Sequence, residues 1–461
     1  MAKNKNLLKA TSNAEILSFI INQNPELKAE LDLPVQGESV KPLGQIIIDN
    51  ARYRNMFINT INLIGLTIIK ENRWENPWAE FTDKGMLRRG QQVREIVIDL
   101  AKVFDYNKNY DNKTKFLETA VPDVYNYLHE VNFQKVYETT INESELLMAF
   151  DDEENGLYKF IENCVSNLYE TYDYDKWIVD KYQLCRRILD GTITPVRITE
   201  TDARDILAKM KSVSNRMIFK SPKYNPAGVR RATKFDDQYL MLDADREAIT
   251  STSVLATSYF LNEAQTKTNL SLIDSFSETD EARLTELLEE AYVPFTEGEK
   301  IELAEVLGVI ISRDFFMDYH RALDTNPDTN GKRQTEFENP TTLDRNVFLH
   351  AQDVISSSPF ANACVFTTIA PRVVSVEVSP ASMTISKGNG VKFKATTTTE
   401  GFANKSVTWS VDETSEADGV SIDIATGVCK IPSNATVESI TVTATSVFDN
   451  SVSGTATITL A

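Results

Sequence analysis

The stretch DDEENGLYKFIENCVSNLYETYDYDKWIVDKYQLCRRILDG, from Asp151 to Gly191, decides how this chain is read. Leu157, Phe160, Ile161, Cys164, Val165, Leu168 and Tyr172 recur at steps of three and four, which stacks them on one face of a 3.6-residue helix. The pattern resumes at Ile178, Tyr182, Cys185, Ile188 and Leu189. Asp151 to Glu154 crowd the start, where backbone N–H groups are unpaired and the dipole is positive. Arg186 and Arg187 fall in the last turn, and Gly191 can supply a left-handed stop. At 1.5 Å per residue such a helix spans roughly 50–60 Å. The jump over Asp173 and Asp175 marks the place for a kink. A helix of this length is a rod carrying other layers or a coiled coil. The coiled coil needs sustained apolar heptads, which the jump breaks.

Working outward, 461 residues exceed one ordinary core, so two or three domains are expected. Seventeen glycines are well under the usual ~7% and argue against glycine-rich phosphate loops as a theme. A net charge of −19 argues against a general nucleic-acid binder, because phosphate recognition needs positive charge. Cys164, Cys185, Cys364 and Cys429 form no C-x-x-C pair and read as buried thiols of a reducing compartment. The apolar run Ile16 to Ile21 is too short for a signal core, and no run reaches the ~18 apolar residues of a membrane span. No membrane partner is expected.

Upstream, Ser12 to Glu15 is a capping-box pattern, and Gln45 to Leu63 carries helical spacing before a strand at Leu66 to Ile69. Residues 71–115 change character, with Trp74, Trp78, Arg88 and Arg89, a β-like run from Glu95 to Phe104, and a polar tip at Asn107 to Lys113. Aromatics and arginines on a projecting ribbon suit a partner surface, while local packing of the tryptophans is the alternative. Residues 116–142 return as strands.

Downstream, residues 192–345 read as an α/β lobe, with strands at Leu240 to Leu242 and Leu270 to Ile273, and helices at Thr252 to Glu263 and Glu281 to Tyr292. A strand pair, or a strand and a turn, follows over Glu305 to Tyr319. Lys209 to Lys234 holds eight Lys/Arg and no acid, whereas Asp274 to Glu305 holds eleven Asp/Glu against Arg283 and Lys300. Opposite blocks in one lobe invite contact between copies, the basic block of one meeting the acidic block of a neighbour. After Pro371 valines alternate, as at Val374, Val376 and Val378, and about seven short strands around Trp409 read as an all-β immunoglobulin-like sandwich. Lys392, Lys394 and Lys405 are placed to blunt its edges.

Chemistry is sparse. His129, His320 and His350 are isolated in sequence and read as structural. No nucleotide loop, zinc motif or nucleophile elbow occurs, and two calcium-like runs, from Asp105 and from Asn326, lack the closing Glu. No catalytic residue, cofactor site or metal site is assigned, and no enzyme is expected.

The run Phe57 to Ile69 (FINTINLIGLTII), Tyr127-Leu128-His129-Glu130, Arg313 to Tyr319 (RDFFMDY) and Phe360 to Phe366 (FANACVF) resemble the major head proteins of phi-29-like short-tailed bacteriophages. Val378-Ser379-Pro380, Val407 to Ser410 and Gly427-Val428 resemble a bacterial Ig-like group 2 domain. The chain departs from the head-protein pattern in the α/β lobe, at Glu281 to Tyr292 and Asp324 to Asn339. The resemblance implies an α+β, HK-97-type capsid fold followed by the Ig-like sandwich. It divides the chain into an N-terminal arm and packing helix (1–70), an E-loop (71–115), a P domain with the spine helix (116–191), an A domain (192–345), a P-domain return (346–370) and the Ig-like domain (371–461).

It also implies a structural protein of the virion, assembled in the host bacterial cytoplasm. Its partners would be copies of itself in hexamers and pentamers, a portal or connector, and packaged double-stranded DNA held without sequence reading. About forty residues precede the packing helix, too few for a built-in scaffold, so a separate scaffolding protein is expected. Candidate contacts between subunits are Trp74, Trp78, Arg88, Arg89, Arg230, Arg231, Glu289 and Glu290. No residue is assigned to covalent cross-linking. The rival reading, a bacterial surface or cell-wall adhesin with an Ig-like module, needs a signal peptide and an anchor, and neither pattern is found.

Overall fold

The structure is a computed structural model of the chain. It describes residues 17–18, 21–22, 28–29, 31, 41–50, 52–54, 56, 74, 76–88, 90–103, 121–141, 167–245, 269–321, 333–338 and 345–460. Several sequence readings lie outside these residues: the capping box at Ser12, the strand at Leu66 to Ile69, the polar tip at Asn107, both calcium-like runs, the helix at Thr252 and the first part of the long helix.

Ahead of the long helix, the described elements include two short helices, α1 (Lys41–Asp49) and α2 (Ala79–Thr82). The long helix, α3, runs without a break in its helical assignment over Asn167–Leu189, through the jump after Tyr172. The reason lies in the residues that interrupt the apolar pattern. Asp175, Lys176, Asp180 and Lys181 are each no more than 4% exposed. They carry the helix through protein where a polar face would have turned to water. Lys176 Nζ lies 3.6 Å from Asp318, and Lys181 Nζ donates to Asp274 at 2.6 Å. α3 is thus packed by its own chain. Gly191, at φ +66°, ends it as read, and its amide donates to Ile188 O at 3.0 Å.

The chain falls into two compact units. The first comprises Met1–Val93, His129–Ile178 and Asp318–Ile355. Its sheet is built on β11 (Arg345–Val354), which pairs antiparallel with β4 (Phe133–Ile141), β10 (Arg333–Glu338) and β9 (Asp318–Arg321). β1 (Asp83–Leu87) adds in parallel to β9 at the sheet's edge, through a ladder with a register shift between Asp83 and Met86.

The second unit comprises Arg94–Leu128, Val179–Met317 and Ser356–Ala461. β2 (Val93–Ile98) and β3 (Val124–His129) pair as a two-stranded sheet, whose second strand lies beyond the end at residue 115 set for the ribbon. A second sheet has the order β5 (Thr194–Arg197), β12 (Ala363–Thr367), β8 (Val306–Ser312), β6 (Gln238–Asp243) and β7 (Leu270–Ile273). Every residue of β8 and β12 is buried, so these strands read as continuous apolar runs without alternation. α4 (Ala203–Met217) covers one face with Met210, Val213 and Met217, against Leu307, Ile310 and Phe366. Helix α5 spans Glu281–Leu288 and yields to a 3-10 turn at Glu289–Ala291, because Glu289 turns to φ +49°. α6 follows at Glu297–Ala304, started by a capping box between Thr296 and Glu299.

From Arg372 nine strands and the short α7 (Glu413–Ala417) enclose one apolar core. β13 (Arg372–Ser379) pairs with β16 (Lys394–Glu400). β14 (Ser382–Ile385), β21 (Ser453–Leu460), β20 (Ser439–Ser446) and β17 (Val407–Val411) form a second sheet. β15 (Gly390–Lys392), β19 (Val428–Lys430) and β18 (Ser421–Ile422) form a third. The alternation of β13 differs from the reading in one respect. A register shift after Val373 turns Val373 inward and leaves Val374 half-exposed. Gly427, at φ +68°, passes so close to Trp409 that a Cβ would sit 2.7 Å from its ring. This is the physical content of the Gly427-Val428 motif.

These strands do not separate from the second unit. Gly401 to Lys405 lies on the end of α3, where Lys405 N donates to Asp190 O at 3.4 Å and a Cβ on Gly191 would meet Ala403 O at 2.3 Å. Burial raises the pKa of Glu302 on α6, opposed by the charge of Lys405. Lys405 is half-buried, whereas Lys392 and Lys394 are exposed.

Candidate functional site

Three groups of side chains carry the surface expectations. The first is the basic loop after α4. Its backbone is fixed by two buried asparagines. Asn225 Nδ2 donates to Val229 O at 2.7 Å, and its Oδ1 accepts from Val229 N at 2.9 Å. Asn362, at the head of β12, donates to Thr233 Oγ1 at 2.9 Å and accepts from Asn225 at 3.1 Å. Ser221 and Arg231 exchange both backbone hydrogen bonds, closing the loop at its neck. The loop then presents Arg230 and Arg231 at defined places. Arg230 Nη1 donates to Asp99 Oδ2 at 3.0 Å, and Arg231 donates to Asp314 and to Phe360 O. Both arginines thus hold acids of their own unit, so any neighbour must share or displace those partners.

The second group is acidic. Glu289 and Glu290 are exposed on the turn after α5. Part of the acidic block is neutralised internally: Lys300 pairs with Glu281 at 2.9 Å and Glu297 at 3.1 Å, and Arg283 pairs with Glu286 at 2.7 Å. Arg186 pins the segment between the helices. It donates to Val293 O, to Pro294 O at 3.0 Å and to Glu299 at 3.2 Å, with its guanidinium 4.5 Å from the Phe295 ring centroid. Burial would raise the Glu299 pKa, but hydrogen bonds from Thr296 and the charge of Arg186 bring it below its ordinary value.

The third group is aromatic. Trp78 is wholly buried, with its ring 6.1 Å from those of Phe81 and Trp177. It therefore takes the local-packing alternative and is withdrawn from any surface a neighbour can touch, because Asn76 Oδ1 caps its amide at 2.8 Å and folds the ring inward. Trp74 lies edge-on to Tyr174 and Trp177 at 6.1 and 6.0 Å and keeps 37% of its surface exposed. Arg88 is exposed, and Arg89 lies outside the described residues.

A fourth group escaped the sequence reading. His320 sits between Asp83 and Asp353, with Tyr172 beside it. Its partners are 237, 33 and 148 residues away, so no local motif could have shown them. Burial pushes the thiols of Cys185 and Cys364 up to about 12, which removes them as nucleophiles near neutral pH. Among the described residues no group of three or more His, Cys, Asp or Glu is suited to a metal, and no helix is long and apolar enough to cross a membrane.

Residues 19–367 match the family model of the Phi29-like phage major capsid protein. The match ends with β12, before the C-terminal strands begin. The major capsid protein of Bacillus phage B103 is 29% identical over 94% of this chain and 90% of its own length. That of Bacillus phage GA-1 is 26% identical over 88% of this chain and 81% of its own length. Among solved structures, the capsid of Staphylococcus phage Andhra is similar at 12% identity over 66% of this chain and 87% of that one, with a TM-score of 0.49, too low to carry the fold. The family is structural and not enzymatic, which also sets aside the adhesin reading. With three quarters of its length matched, the chain belongs to the Phi29-like phage major capsid proteins, structural components of the phage head.

Proposed function

We propose that this chain assembles with copies of itself, as hexamers and pentamers on the HK-97-type plan, into the icosahedral head of a tailed double-stranded DNA phage. The observation that carries this reading is the family match from residue 19 to the end of β12. α3 serves as the spine of a P domain completed by the return strand, residues 192–345 as the A domain, and residues 71–115 as the E-loop reaching a neighbour. The sandwich from residue 371 is a bacterial Ig-like group 2 domain on the outer surface. An inward acidic body would lie against packaged phosphate, at an electrostatic cost. Assembly takes place in the host cytoplasm around a separate scaffolding protein, with a portal at one vertex, and the head encloses DNA without reading its sequence.

Contacts between copies use Trp74, Arg88, Arg89, Glu289 and Glu290, together with Arg230 and Arg231 where a neighbour's acids share them. Reversing both Arg230 and Arg231 to Glu should stop capsomer formation while the monomer stays folded. Adding Asp99→Lys and Asp314→Lys restores the intrachain pairs. Full rescue of assembly by those changes would assign the arginines to internal packing alone. Truncation after Pro371 should leave a core that still assembles, and protease should reach the sandwich on intact particles. An inward sandwich in a density map would overturn its placement. Uniform closed shells of native size from this chain alone would overturn the need for a scaffold.

A further inference from the structure

β1 is a weakly held strand. It lies at the edge of its sheet, its ladder to β9 is interrupted between Asp83 and Met86, and only Leu87 of its five residues is buried. What ties it down at its start is a side chain. Asp83 Oδ2 lies 3.0 Å from His320 Nε2, and the other ring nitrogen, Nδ1, lies 3.1 Å from Asp353 Oδ1. The Tyr172 hydroxyl donates to Asp353 Oδ2 at 2.6 Å, so its oxygen can accept from Nδ1–H at 2.9 Å. Two carboxylates thus face the two nitrogens of one imidazole.

Only the imidazolium donates at both nitrogens. A neutral ring donates at one and turns a lone pair toward the other carboxylate. We propose that Asp83, His320 and Asp353 form a proton-operated latch, closed when both ring nitrogens carry protons, that holds β1 to its sheet and opens when one proton is lost. Asp83 reaches the ring from β1, Asp353 from β11, and Tyr172 and Lys176 from α3. Asp318, on the same strand as His320, is 3.6 Å from Lys176, and Tyr137 on β4 stands edge-on to Tyr172. Of the charges named, three carboxylates face Lys176 and His320. Loss of the ring's proton removes one positive charge from between Asp83 and Asp353, at a site where Asp353 is 1% exposed.

The sign follows from the neighbours. Burial would lower the pKa of His320, and Lys176 acts the same way, but hydrogen bonds with Asp353 and Asp83 outweigh them and raise it above its ordinary value. The latch is therefore complete below the ordinary histidine range and is lost as pH rises through the raised value. Burial would raise Asp83, yet the hydrogen bond and charge of His320 hold it well below the carboxylate range, so it stays ionised throughout that window.

The test is hydrogen exchange of the β1 amides in the full-length chain, from about pH 5 to about pH 9, corrected for intrinsic rates, with β4 as the internal control. Protection of β1 should fall about tenfold with rising pH, the loss of one charge-assisted hydrogen bond, while β4 holds. In His320→Gln protection should be independent of pH, and in Asp83→Asn the transition should move to lower pH. Flat protection in the wild type, or an equal fall in His320→Gln, overturns the latch. Should His320→Gln fail to fold, Asp83→Asn decides alone: a transition left at the wild-type pH overturns it. The readout is local to one strand, so its failure and a failure of the capsid assembly reading are separate results.

Discussion

Along α3, Asp175, Lys176, Asp180 and Lys181 are each no more than 4% exposed, whereas the core of the C-terminal strands, from Val373 to Ile458, is built of apolar side chains and buries no charged one, its buried polar groups being Ser415 and Ser446. Burial is equally complete in both regions, but the interactions holding them differ. An apolar core loses stability in proportion to the volume removed. A buried charge depends on one or two partners, and removing a partner leaves the desolvation cost unopposed. The helix should therefore be the brittle region and the C-terminal core the graded one.

The largest effect is expected at Lys176. Lys176→Met removes a buried cation that lies 3.6 Å from Asp318, itself 0% exposed, and should cost about 3–5 kcal/mol in the denaturant midpoint. Replacing Asp318 by Leu in the same chain should recover part of the loss, because the 3.6 Å ion pair is then removed from both sides. If Lys176→Met alone is as mild as a lost methyl group, the contrast between the regions fails.

Next comes the place where the C-terminal strands meet the helix end. Gly191→Ala puts a Cβ 2.3 Å from Ala403 O at a left-handed position, and should cost about 1–3 kcal/mol from backbone strain alone. Proteolysis should then find the Gly401 to Lys405 segment sooner. Unchanged cleavage there would mean that the contact contributes nothing to holding these strands.

A smaller, graded loss is expected at Ile440, which is 0% exposed in the apolar core. Ile440→Val should cost about 0.5–1.5 kcal/mol in a thermal or denaturant melt. The smallest effect is expected at the rim. Arg372 donates to Glu400 at 2.7 and 2.9 Å, but both side chains are largely in water. Arg372→Ala should leave the melting curve unchanged within error. A clear shift would mean that charge matters to the C-terminal strands as it does to α3.

The same contrast explains what was legible in the sequence. β17, β20 and β21 alternate because one face is wet, and that period can be read residue by residue. β8 is buried on both faces, so its run could be placed but not resolved beyond a strand with a turn. The interruption of α3 looked like a kink because charged residues normally mark solvent. What keeps Lys176 and Lys181 inside are Asp318 and Asp274, each more than ninety positions away. The surface arginines were found by composition, but their intrachain acids Asp99 and Asp314 were not, and Trp78 was drawn inward by a cap at Asn76 that sequence spacing alone does not fix. His320 was dismissed as isolated because its carboxylates lie on two other strands.

The most direct test of the whole account is negative-stain microscopy of the expressed full-length chain. Shells, tubes or capsomer rings are the predicted result. A preparation that stays as monodisperse monomers, with and without a scaffolding partner, would contradict it.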